Sequence, residues 1–165
     1  MKKILAAVLA ALLLVPALAL AQGSVLMVEL PQDAQMVEDV AFDDGDFIRT
    51  YQLPGGAQVQ LLRYAAFDMT LGDLFASEWV GATDVRELGI AEVGGHPAQG
   101  LRFSYQEEGQ QTLDVALVVV DAGETLVFSA VFPAGSADAQ LDAMLGSMTV
   151  MTEGEAPAAD NADVG

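Results

Sequence analysis

The stretch "LDVALVVVDAGETLVFSAVF", Leu113 to Phe132, decides the fold. Gln111 to Val120 and Thr125 to Phe132 are two runs of β-forming residues, and "DAGE" at 121–124 joins them with the glycine and charge that hairpin loops require. Within the first run, "ALVVV" from Ala116 to Val120 is apolar on both faces. Such a strand sits centrally, and something must pack on each side of it. Just upstream, Ala98 to Gln106 places Leu101, Phe103 and Tyr105 on one side and Arg102 and Ser104 on the other, the alternation of a half-buried strand. "EEGQ" at 107–110 turns it into the next strand, so three antiparallel strands form a meander.

Working outward, Arg86 to Val93 reads as a weak strand that "GGHP" at 94–97 turns into the meander. Ahead of it a helix is expected, because Thr70 and Asp73 form a T-x-x-D capping pattern and Leu71, Phe75 and Trp79 recur every four residues, with Leu74 beside them. A tryptophan on such a stripe is a packing residue rather than a ligand platform. Asp46 to Leu53 and Ala57 to Tyr64, divided by "PGG" at 54–56, read as a hairpin. On the other side, Ser136 is an N-cap candidate for a closing helix. In that helix Leu141, Met144, Leu145 and Met148 follow the spacing of a buried stripe, so the methionines are core. Residues 22–45 are expected to be an acidic approach with an edge strand in "SVLMVEL". Residues 151–165 are small, polar and acidic and are expected to be a disordered tail.

The first 21 residues read as a cleavable export signal. Lys2 and Lys3 precede an apolar run from Ile4 to Leu20, and Ala19 and Ala21 give the A-x-A pattern, with cleavage after Ala21. With no cysteine in the chain there is no lipid attachment point, disulfide or thiolate chemistry. The expected location is the periplasm or the medium, without a stable membrane anchor. Removal of both lysines leaves Arg49, Arg63, Arg86 and Arg102 against all 24 acidic residues. That field repels nucleic acid and anionic lipid and suits cationic partners, cations or salty surroundings, and it reads first as an adaptation of the surface to the medium.

His96 is the only histidine and the first candidate for chemistry, but it lies between Gly95 and Pro97 in a turn with no nucleophile motif nearby. One imidazole without a thiolate leaves only carboxylates as ligands, and these suit hard cations. "DDGD", Asp43 to Asp46, concentrates carboxylates around a glycine yet lacks the ordered spacing and distal Glu of a calcium loop. Glu107 and Glu108, adjacent on a tight turn, point apart and read as solubilising loop residues. No phosphate-binding loop or dinucleotide fingerprint occurs. No catalytic, cofactor-binding or metal-ligating residue is therefore assigned, no cofactor is expected, and the chain does not read as an enzyme.

From Val93 onward the sequence resembles the PsbP/DcrB-like superfamily. Val93, Gly95, Pro97, Ala98 and Tyr105 fit its turn-and-strand pattern, and Leu145, Ser147 and Met148 stand in its closing pattern, with Met where Phe is usual. The resemblance covers residues 46–150 and implies an α+β domain in which an antiparallel β-sheet is sandwiched between helices. It also implies a non-enzymatic accessory role, here binding an envelope or secreted protein. The alternative from a different class is a small-ligand or calcium-binding module with an apolar pocket between sheet and helix.

Overall fold

In the computed structural model, residues 23–65, 69–106, 110–136 and 138–152 are described. The meander forms as β7 (His96–Tyr105), β8 (Leu113–Asp121) and β9 (Thr125–Pro133). Ala116 pairs with both Arg102 and Ala130, which fixes β8 between its two neighbours. β8 is buried from Val115 to Val120 and β9 from Thr125 to Ala130, consistent with cover on both faces.

A second meander continues the sheet beyond β9. β4 (Gln58–Tyr64) pairs with β9, β3 (Phe47–Gln52) with β4, and β2 (Gln35–Ala41) with β3, all antiparallel. β5 (Thr83–Glu87) closes the far edge on β7, and the short β6 (Glu92–Val93) also pairs with β7. The resulting eight-stranded sheet runs β2-β3-β4-β9-β8-β7-β5, with β6 beside β7. A separate two-stranded sheet joins the ends of the described chain, β1 (Ser24–Met27) with β10 (Thr149–Thr152).

Two α-helices lie among the described residues. α1 (Leu71–Glu78) starts where the T-x-x-D pattern places it: the Thr70 hydroxyl accepts the Asp73 N–H at 3.2 Å, and Asp73 Oδ2 accepts the Thr70 N–H at 3.2 Å. Leu71 and Leu74 are buried against Phe103, Val115, Leu117 and Val119. α2 (Asp138–Ser147) lies on the opposite face, where Leu141, Met144 and Met148 join Phe128, Phe132 and the β1 residues Val25 and Leu26 in the larger core.

The expected sheet sandwiched between helices is not what the chain forms. Among the described residues the structure is mainly β, with two antiparallel sheets and two α-helices of 8 and 10 residues. An 8-residue helix is about 12 Å long, and a sheet seven strands across spans roughly 29 Å. Neither helix can layer such a sheet. Among the described residues one face is covered by α2 together with the β1–β10 ribbon, and the other carries α1. The stretch 22–45 contributes two strands rather than one edge strand, and β10 takes Met151 and Thr152 from the expected tail. The export signal, Glu107, Glu108 and the remainder of the tail lie outside the described residues.

Candidate binding surfaces

β2 is the end strand of the large sheet, and all seven of its residues are exposed. A bulge at Val37 separates the pairs Met36–Tyr51 and Glu38–Thr50. Beyond it the strand alternates: Glu38 and Val40 face the α1 side, Asp39 and Ala41 the α2 side. Met36, Val37, Val40 and the following Phe42 are 56%, 57%, 37% and 49% exposed. Two carboxylates sit among them. Asp39 Oδ1 is 3.0 Å from Arg49 Nε, and Glu38 Oε2 accepts the Thr50 hydroxyl at 2.8 Å.

The opposite edge is built differently. β5 shifts register between Thr83 and Arg86, and Asp84 has a φ of 54°. This local distortion, together with the charges of Asp84, Arg86 and Glu87, blunts the edge against further pairing. β2 carries its bulge against β3 and then runs regularly to Ala41.

The sequence candidates for chemistry fall elsewhere. His96 opens β7 opposite Val93, half-buried beside the Gly94–Gly95 turn. Asp43 to Asp46 form the turn between β2 and β3, where the carboxylates serve the backbone: Asp44 Oδ1 accepts the Asp46 N–H at 3.2 Å and Asp46 Oδ1 the Ala65 N–H at 2.6 Å. Among the described residues no group of three or more His, Asp or Glu lies close enough to hold a metal ion. The Trp79 ring packs edge-on to Phe103 and Tyr105 at 5.4 and 5.1 Å. No described helix is long and apolar enough to cross a membrane.

The chain matches no family model and no curated protein. Its functional geometry rests on its own surfaces. Besides the β2 edge, α1 leaves a gap on each side. In front of its N-terminus an open cleft of about 460 Å³ is lined by Met69, Leu71, Ala98 and Val119, with Gln99 and Asp121 at its polar side. On the other flank a smaller cavity of about 190 Å³ contains Gln60, Tyr64, Glu78 and Ser129. Neither β2 nor this second cavity is legible in the sequence. The signal for β2 was "QMVEDVAF", whose alternation is interrupted by the bulge residue Val37. Gln60 showed only as the wet side of a strand.

Proposed function

We propose that this protein is an exported, non-catalytic binding factor that captures an extended, cationic segment of another protein along β2. The observation that carries this reading is the exposure of Met36, Val37 and Val40 on an end strand that runs regularly beyond its bulge, and of Phe42 just after it. An end strand offers unpaired backbone N–H and C=O groups, and alternate side-chain positions supply specificity. A segment alternating apolar with Lys or Arg residues would set its cations on one face, beside Glu38 or Asp39, and its apolar residues on the other. A second copy of β2 would instead set carboxylates against carboxylates, within a chain of net charge −18. The same charge steers a cationic partner toward the edge and makes association salt-dependent.

The test is a fluorescence-anisotropy titration of the protein with a labelled peptide of alternating valine and lysine, and with its valine–glutamate counterpart. Saturable binding of the lysine peptide, weakened by salt and absent in a Met36→Lys/Val40→Lys variant, supports the reading. Equal binding by that variant, or none by wild type, overturns it. Both substitutions are at exposed positions and leave the core intact.

A further inference from the structure

A row of polar side chains crosses the sheet from β2 to the flank of α1. Glu38, Thr50, Gln60 and Ser129 occupy successive paired positions on β2, β3, β4 and β9, and Leu117 follows on β8. The row is hydrogen-bonded along its first half: Thr50 donates its hydroxyl to Glu38, and Gln60 Nε2 donates to Thr50 Oγ1 at 3.4 Å. The chain of bonds stops before Ser129. That residue is only 7% exposed and lines the 190 Å³ cavity, yet no group among the described residues takes up its hydroxyl. The hydroxyl oxygen is not sealed from solvent but opens into the cavity, where it is available to a bound molecule.

The remaining lining divides into two chemistries. Leu62, Leu74, Leu117 and Val127 are its apolar members, while Gln60, Tyr64 and Trp79 are half-buried with polar atoms and Glu78 is exposed. Neither the Tyr64 phenol nor the Gln60 carbonyl oxygen has a hydrogen-bond partner among the described residues. Burial, reinforced by the Glu78 and Asp46 carboxylates, raises the Tyr64 pKa above its ordinary 10, so the phenol stays a donor. Glu78 sets a negative field at the rim and excludes anions. The volume corresponds to about six water molecules at roughly 30 Å³ each, which suits one small ring.

We propose that this cavity binds a small uncharged polyhydroxylated molecule of monosaccharide size, its hydroxyls paired with Ser129, Gln60 and Tyr64 and its C–H face against Trp79 and the leucines. Hydroxyls both donate and accept, as this mixed set of groups demands, and an aromatic ring beside a polar cluster matches the two-sided character of a sugar ring. The site is independent of the β2 edge: it lies on β4, β8, β9 and α1.

Trp79 is the only tryptophan, so its indole N–H gives a single NMR reporter at the site. The protein is titrated with glucose, galactose and mannose, and with glucuronate as the anionic control. A saturable shift of the Trp79 signal with at least one neutral hexose is expected, with a roughly millimolar Kd for so small a contact. Ser129→Ala and Tyr64→Phe should each weaken it roughly tenfold. Ser129→Ala removes only an unpartnered hydroxyl and leaves the fold intact, which the remaining amide spectrum verifies. The proposal is overturned if no neutral hexose gives a saturable shift up to about 100 mM, if Ser129→Ala binds as wild type does, or if glucuronate binds equally well.

Discussion

Phe75 and Phe103 meet edge to face, with ring centroids 5.0 Å apart and planes at 78°. Phe103 is also the platform for Trp79, at 5.4 Å, so one β7 side chain receives both aromatic residues of the α1 stripe. Because α1 is the one helix that covers this face among the described residues, it depends on that platform more than a helix within a helical layer would. Phe103→Ala should therefore cost about 3–5 kcal/mol, the range for deleting a buried aromatic side chain. Urea denaturation checks the magnitude. Trp79 fluorescence should shift red in the folded variant, since the ring loses its apolar neighbour.

The start of α1 is held by a reciprocal bond between Thr70 and Asp73. The Thr70 hydroxyl, and then the Thr70 backbone N–H, hold the exposed Asp73 carboxyl below its ordinary pKa of 3.8. A carboxyl depressed in the folded state stabilises the fold above the unfolded pKa, and that contribution is lost as pH falls through the folded one. Thr70→Ala should raise the Asp73 pKa toward 3.8, read by carboxyl ¹³C NMR, and should lower the melting temperature at neutral pH. An unchanged Asp73 titration would show that the hydroxyl is not the cause.

This cap, the central meander, the β3–β4 hairpin and α2 are the parts of the fold that were legible in the sequence, for one physical reason. "TLGD" and "LDVALVVVDAGETLVFSAVF" encode local structure, where bonds and pairings form between residues close in the chain. The pairing of β4 with β9 joins Gln58 to Val131, and that of β1 with β10 joins Ser24 to Thr152. No local pattern specifies such partners. β1 and β10 are only four residues each, too short for periodicity to separate from an approach or a tail. On one face, the layer that the resemblance assigned to helices is thus shared between α2 and the β1–β10 ribbon, formed by the two ends of the described residues. The second cavity was hidden for the same reason: Gln60 and Ser129 come from strands 69 residues apart in sequence and meet only through long-range register.

At alkaline pH the sign of the dependence reverses. Tyr64 has a raised pKa, chiefly from burial and then from Glu78 and Asp46, so the folded state retains a proton that the unfolded state releases near pH 10. Its contribution is complete below pH 10 and is lost as pH rises through the folded value. Glu78→Gln should bring the Tyr64 pKa down only part of the way, because desolvation remains. The Tyr64 ring resonances, followed across pH 9–12, test this. A complete return to 10 would make Glu78, rather than burial, the main cause.

The turn that carries His96 supports the second sheet, and two adjacent glycines separate that role from backbone conformation. Gly94 has a φ of 57° and Gly95 a φ of 81°, so an alanine at either site adopts the left-handed region at a cost of about 1–2 kcal/mol. They differ in what a side chain would meet. A Cβ on Gly95 has nothing within 4 Å, whereas one on Gly94 lies 2.9 Å from the backbone nitrogen of Val150. Val150 cannot easily retreat, because it pairs with Leu26, which is buried at the centre of the ribbon. Gly95→Ala should thus show the conformational cost alone. Gly94→Ala should add about 1–2 kcal/mol by forcing β10 from the turn, within the range for overpacking. Urea denaturation of the two variants gives the difference, and amide exchange locates it. In Gly94→Ala the amides of β1 and β10 should lose protection before those of β8 and β9. Equal destabilisation by both variants would mean that the turn bears no load from the ribbon.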